Sequence, residues 1–290
     1  MKQIETLAKD IEELLKDSNH LEPSPESLEF LGTNMGSHMI SSLGERTKGR
    51  EVGKMWASDI GEGCPRKTWY KWNEADKGEG FGPGVKVKFL YGNLIEEMIL
   101  FLAKQAGHEV TCEQERVEYV TKSNWLVSGR IDACIDGTLL DVKSCSSYAF
   151  KKYTKEGITA ANDDFGYRWQ LGFYAMMKPE YHKHGFLFID KSLGHIAFVP
   201  VIPPSPEEVS ARISSHIDSI LHPTETHVVR GYDPVPDGKS GNYKLAIPCS
   251  YCSFKHTCYP NVRTFLYANG PKFLTTVKET PRVLEVTSGA

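Results

Sequence analysis

The chain has 290 residues, 40% of them apolar and 24% charged. That is the make-up of an ordinary globular protein, with length for one large domain or a domain plus a small satellite. A formal net charge of −3 excludes a polycation but leaves room for a local basic groove. No apolar run reaches the roughly eighteen residues of a membrane span, so no membrane partner is expected. The N-terminus has no apolar signal-peptide core, and a cytoplasmic location is expected.

In chain order, Ile4, Leu7, Ile11, Leu14 and Leu15 fall on one face of an amphipathic N-terminal helix. Residues 18–50 are rich in Pro, Ser, Gly and Asn and read as a linker or long loop. Pro65 opens a helix over 65–75, at a first-turn position that suits proline. A Gly-rich loop follows at 76–86, then a strong helix over 93–106 closed by Gly107. Strand character holds over 108–120, 125–136 and 138–144. Helices are expected at 146–153, 164–178 and 207–221, and strands at 185–190 and 195–201. The last thirty residues show weak patterning. The sum is a mixed α/β fold with a central, mostly antiparallel sheet flanked by helices.

The dipeptide Asp136-Gly137 is a hairpin turn signal. With these two as the turn residues, Ile135 pairs with Thr138 and Asp132 comes opposite Asp141. Asp141 and Lys143 are two apart and share a face with Asp132. Opposed carboxylates repel. Two readings stand: a divalent cation such as Mg²⁺ holds them together, or both acids are solvated on an exposed face with Lys143 as a salt-bridge partner.

There are seven cysteines, and Cys249, Cys252 and Cys258 crowd into ten residues. The count is odd and no leader is visible, so a disulfide framework is not expected and a metal is. Cys112, Cys134 and Cys145 read as small hydrophobes.

Asp132, Asp141 and Lys143 resemble the core signature of the PD-(D/E)XK nuclease superfamily. Gly92 followed by Glu96, and Gln170 followed by Tyr174, resemble flanking motifs of its RecB-like branch. That branch has a metal-binding histidine where this chain has Glu96. The single Cys64 upstream and the C-x2-C-x5-C of Cys249, Cys252 and Cys258 downstream are similar to members that carry an iron–sulfur cluster. Those members include the CRISPR-associated adaptation nuclease and its phage relatives.

The resemblance implies a restriction-endonuclease-like core with helices on both sides and a cysteine-rich C-terminal segment. Residues 51–262 would form the nuclease domain, after a helix and linker at 1–50 and before a tail at 263–290. It implies a DNA exonuclease dependent on Mg²⁺ or Mn²⁺, acting on single-stranded DNA or DNA ends in phage recombination, repair or spacer acquisition. Glu96, Asp132 and Asp141 would bind the metal. Asp132, Asp141, Lys143, Gln170 and Tyr174 would form the catalytic set. Cys64, Cys249, Cys252 and Cys258 would hold a [4Fe–4S] cluster, with zinc as the competing occupant and His256 as a bystander. Such a cluster would staple distant segments, and single-stranded DNA would thread near the site.

Arg66, Lys67, Lys71, Lys151, Lys152 and Lys155 are candidate phosphate contacts. Trp69, Tyr70 and Trp72 are candidate base-stacking surfaces, against core aromatics as the alternative. No helicase P-loop is present, so unwinding would come from a helicase, recombination or adaptation partner. The competing functions are a catalytically degenerate DNA-binding module scaffolded by the cluster, and an RNA-processing or redox-sensing protein on the same fold.

Overall fold

The computed structural model describes residues 2–16, 21–43, 50–80 and 82–286. Helices α1 (Leu7–Lys16), α2 (Pro25–Leu43), α3 (Ala57–Ile60), α4 (Pro65–Asn73) and α5 (Pro83–Gln105) occupy the first third, with the short strand β1 (Lys54–Trp56) among them. Strands β2 (Val110–Thr111), β3 (Arg116–Val120), β4 (Leu126–Arg130), β5 (Ala133–Ile135) and β6 (Thr138–Cys145) follow. Then come α6 (Ser147–Glu156), α7 (Tyr167–Met177), β7 (Lys183–Asp190), β8 (Ile196–Pro200) and α8 (Pro206–Ile220). The C-terminal part holds β9 (Val235–Pro236), β10 (Tyr243–Lys244), α9 (Ile247–Ser250), α10 (Lys255–Cys258), β11 (Arg263–Tyr267), β12 (Gly270–Thr276) and β13 (Leu284–Val286).

The chain divides into two compact units. The first comprises residues 1–46, 53–61 and 81–212. Its main sheet has the order β2-β5-β6-β7-β8, antiparallel throughout except for the parallel pair β6 and β7. A smaller sheet has the order β1-β4-β3. The backbone leaves β4 at Arg130 and enters β5 at Ala133, so Ile131 and Asp132 lie where it passes from one sheet to the other.

Alternation along β6 assigns its two faces. Leu140 and Val142 join Ile4, Leu7 and Ile11 and the α5 residues Ile99, Leu100 and Ala103 in one buried apolar cluster. On the opposite face Asp141 and Lys143 meet the α7 side, where Tyr167 lies near Phe186 and the α6 residue Tyr153 stacks on Phe188. Helices therefore cover both faces, which makes this a mixed α/β layer fold.

The expected N-terminal face is present with one exception, since Leu15 is half exposed. The linker expected at 18–50 is corrected in its middle: residues 25–43 are helix α2. Ser24 caps it by accepting from Ser27 N at 3.2 Å, Pro25 sits in its first turn, and Asn34 reaches Glu97 of α5 at 3.2 Å. Residues 17–20 and 44–49 of that stretch lie outside the described residues. Helix α5 also begins earlier than expected, at Pro83, so the Gly-rich segment is shorter.

The second unit comprises residues 47–52, 62–80 and 213–290. It carries an antiparallel sheet of order β13-β11-β12-β10-β9. The weakly patterned tail is therefore built structure: β11, β12 and β13 lie in it, and Phe265 and Leu274 are buried. Single buried residues in short strands leave little periodic signal.

Leu7 is fully buried in the cluster beneath the main sheet. Leu7→Ala is expected to cost about 2–5 kcal/mol, whereas Leu15→Ala should stay within about 0.5 kcal/mol. Urea unfolding of the two variants checks this; equal losses would mean that α1 does not pack through the Ile4–Leu7–Ile11 face.

Candidate metal and active centre

The turn that sets the hairpin is of the kind expected. Asp136 and Gly137 have φ of 49° and 74°, the double left-handed geometry of a type I′ turn. Ile135 pairs with Thr138, Cys134 with Leu139 and Ala133 with Leu140. The next step in that register sets Asp132 against Asp141, and Asp132 Oδ2 accepts a hydrogen bond from Val142 N at 2.7 Å.

Asp141 is fully buried, and Lys143 Nζ lies 2.5 Å from its Oδ2. Asp141 Oδ2 is thus ion-paired to the ammonium, and its Oδ1 has no hydrogen-bond partner. Glu96 comes from α5, one turn after Gly92, where a Cβ would sit 3.8 Å from Ser144 Oγ of β6. Its carboxylate accepts from Gln114 Nε2.

Burial and the neighbouring charges perturb each of these groups. Burial pushes the Glu96 carboxyl up to about 7; the Gln114 hydrogen bond and Lys143 oppose the rise, and Asp141 and Glu97 add to it. Burial, then Glu96 and Asp141, hold Asp132 well above the usual carboxylate range. Burial raises Asp141 too, against the pull of Lys143. Burial alone would lower Lys143, but Asp141 and Asp132 outweigh it and keep the amine protonated beyond the ordinary lysine range. Three acids thus share one ammonium, an arrangement short of positive charge.

Helix α7 closes this side. Gln170 Nε2 donates to Tyr174 OH at 3.0 Å. Tyr174 is buried, and after burial itself Asp132 and Asp141 are the main groups that raise its phenol. Gly129 makes room for it: a Cβ there would lie 2.7 Å from Tyr174 Cε1 and 2.7 Å from Ala57 Cβ. Tyr167 lies with its ring 5.3 Å from Lys143 Nζ. Asp163 caps the helix, accepting from Tyr167 N and Arg168 N at 2.9 Å each. The structure therefore sets Asp132 opposite Asp141 with Lys143 on Asp141, links Glu96 to the Asp132 segment through Gln114, and joins Gln170 to Tyr174. Sequence reasoning missed Gln114, Tyr167 and Asp163, which belong to no motif; only Asp163 carries a local signal, as an acid ahead of a helix.

The second unit gathers the four cysteines. Cys64 is the residue before α4, Cys249 lies in α9, Cys258 ends α10 and Cys252 stands between. All four line one pocket of about 420 Å³, counting its part open to solvent, with Lys67, Arg230 and Tyr259 among its other walls. Gly231 N donates to Cys64 Sγ at 3.3 Å, Arg230 Nε to Cys258 Sγ at 3.3 Å and Phe254 N to Cys252 Sγ at 3.4 Å. Burial and then Cys64, Cys252 and Cys258 push the Cys249 thiol up to about 12. Burial pushes Cys252 up to about 11. His256 is turned to Glu79, 3.1 Å away. Among the described residues no three His, Cys, Asp or Glu side chains stand at the spacing of ligands to a single ion.

The base-stacking expectation is corrected. Trp69, Tyr70 and Trp72 are buried in the second unit, where Trp69 Nε1 donates to His222 O and Trp72 Nε1 to Glu51 O, and Tyr70 stacks on Phe254 at 5.1 Å. Arg66 Nε donates to Val228 O, and Lys67 and Lys71 both reach Glu62. These three cations are held inside their unit. Lys151 and Lys155 are exposed on α6, and Lys152 donates to Asn162 O.

No protein-family description matches the chain, and no curated protein does. Among solved structures it is similar to the crystal structure of SSO0001, at 15% identity and a TM-score of 0.48, over 80% of this chain and 95% of that one. It is also similar to an alkaline exonuclease, LHK-Exo, from Laribacter hongkongensis, at 14% identity and a TM-score of 0.39, over 59% of this chain and 87% of that one. Among the described residues no helix is long and apolar enough to cross a membrane.

A carboxyl whose folded pKa is raised costs nothing below its unfolded value and destabilises as pH climbs through the folded one. With Glu96 moved from 4.5 to about 7, the cost at about pH 8 is on the order of 3 kcal/mol at most. Glu96→Gln should therefore raise the melting temperature in EDTA at about pH 8, and the gain should vanish towards pH 4.5. Calorimetry across pH checks it; a gain that does not change with pH would mean Glu96 is not held above its usual range.

Proposed function

We propose that this chain is a divalent-cation-dependent deoxyribonuclease, an exonuclease acting on single-stranded DNA or DNA ends, whose second unit holds a [4Fe–4S] cluster. The observation that carries the reading is Asp141: a fully buried carboxylate opposite Asp132 on the hairpin, with Oδ2 ion-paired to Lys143 and Oδ1 without a partner. Buried acids that outnumber their cation are costly, and a hard cation is the partner that carboxylate oxygens fit. Glu96, Asp132 and Asp141 would hold Mg²⁺ or Mn²⁺. When bound, the metal would supply Lewis acidity toward a phosphodiester and an acidified water.

The chain's own residues do the rest. Asp132 is fixed by Val142 N and by the hairpin register, so its free oxygen is aimed without rotamer search. Lys143 is held as an ammonium by Asp141 and Asp132. It would orient the attacking water and offset the charge that develops on the phosphate. Tyr174 is buried, so it walls and positions the acid pair while Gln170 fixes its hydroxyl. The exposed Lys151 and Lys155 are the candidate phosphate contacts that remain open to solvent.

For the cysteines, all four line one pocket of the second unit, with one short C-x2-C pair and the fourth ligand far upstream, where structural zinc commonly uses two such pairs. Burial resists ionisation of Cys249 and Cys252, and a cationic core would favour their thiolate forms as ligands. N–H groups aimed at three of the sulfurs and Lys67 beside two of them fit the net negative charge of a thiolate-bound cluster. In the cell the reading places the protein in the cytoplasm of a bacterium or phage-infected host, beside a recombination, repair or spacer-acquisition partner.

End-labelled single- and double-stranded DNA, incubated with protein purified without oxygen, tests the catalytic claim. Cleavage should require Mg²⁺ or Mn²⁺, and Lys143→Ala should lower it by about 10²-fold or more. Equal rates in the variant, or cleavage in EDTA, would sink the assignment. Iron and acid-labile sulfide should each reach about four per chain; Cys252→Ser should lose both. Zinc at one per chain in their place would replace the cluster reading.

A further inference from the structure

Gln114 touches two of the three acids at once. Its side chain donates to Glu96, and its own N–H donates to Asp132 O at 3.2 Å. It sits in the turn that links β2 to β3, closed by Glu115 N donating to Cys112 O at 3.2 Å and tied down by Ile131 N donating to Glu115 O at 2.9 Å. Both Cys112 and Gln114 are left-handed there, with φ of 51° and 55°. Neither is the glycine or asparagine that such a backbone favours. What the glutamine side chain meets from this backbone is Glu96.

Resting on the nuclease reading above, we infer that Gln114 is a positioning residue for the metal centre. It holds one oxygen of Glu96, leaving the other for the ion, while its main chain fixes the segment that carries Asp132. Glu96 comes from a helix and Asp132 from the junction of two sheets, and Gln114 is the group that joins them. Partners of this kind orient a ligand that would otherwise spend its time in several rotamers.

Asparagine tests this without disturbing the fold, because it accepts a left-handed φ more readily than glutamine but is too short to reach Glu96. Gln114→Met keeps the length and removes the donor. Binding of Mn²⁺ to purified full-length protein, read from the loss of the free-ion paramagnetic resonance signal, is compared for wild type, both variants and Asp141→Ala. Both Gln114 variants should bind Mn²⁺ roughly 10–100-fold more weakly, with melting temperatures in EDTA close to wild type. A merely structural role would lower the melting temperature and leave the affinity of the folded protein intact. If the asparagine variant, folded, binds Mn²⁺ within twofold of wild type while Asp141→Ala does not bind, the inference falls and the metal centre stands. If Asp141→Ala binds like wild type, the ion is elsewhere, and both fall together.

Discussion

The first unit is organised around a buried shortage of positive charge. Asp132, Asp141 and Glu96 converge, and Lys143 is the cation beside Asp141. Two like charges about 4 Å apart cost on the order of 4 kcal/mol even at the moderate effective dielectric of a protein. A domain's whole stability is only about 5–15 kcal/mol. Such a cluster is costly to bury without compensation. It survives either because protons occupy it or because a cation does. Burial and mutual repulsion raise the Glu96 and Asp132 carboxyls, which favours protons there, while Asp141 is held by Lys143.

The second unit poses the same problem with sulfur. Cys64 and Cys249 are 185 positions apart in the chain, and Cys252 and Cys258 complete the set. Closing so long a loop is entropically only modestly worse than closing a short one, because the cost grows with the logarithm of length. What is demanding is the electrostatics. Burial resists ionisation of Cys249 and Cys252, and the surrounding N–H donors and Lys67 counter it only in part. Aromatic packing of Tyr70 on Phe254, with Trp69 and Val228, supplies the rigid wall. These aromatics looked like base-stacking surfaces from sequence because neither composition nor spacing separates a core tryptophan from an exposed one.

What was legible in the sequence was local. Asp136-Gly137 announces its own turn, and a turn of known length fixes every pairing after it, so the meeting of Asp132 and Asp141 could be counted out by hand. The face of α1 followed from periodicity in the same way. What was not legible depends on tertiary contact. Residues 25–43 looked like a loop because Gly32, Gly36 and several serines dilute the helical pattern, yet Ser24 caps the segment and Asn34 reaches Glu97. Gln114 had no signal at all. Its importance comes from a left-handed backbone and a partner eighteen positions away, and neither is written in its neighbours.

The turn that made the site readable is itself secured. Asp136 Oδ2 lies 2.6 Å from Nδ1 of the buried His108, whose Nε2 lies 3.1 Å from Asp10 of α1. Asp136 Oδ1 accepts from Glu109 N at 3.1 Å. One imidazole thus ties the hairpin turn to the N-terminal helix, at the end of the strand pair remote from the acids. The reason for such anchoring follows from the period of a strand. A slip of one residue would send Asp141 and Lys143 into the apolar cluster of α1 and α5, and Leu140 and Val142 to the α7 side. The sheet would lose its core and the site its charges in one step. Holding the turn therefore preserves the packing and the chemistry together, and the constraint that places Asp141 opposite Asp132 is the same one that keeps the main sheet folded.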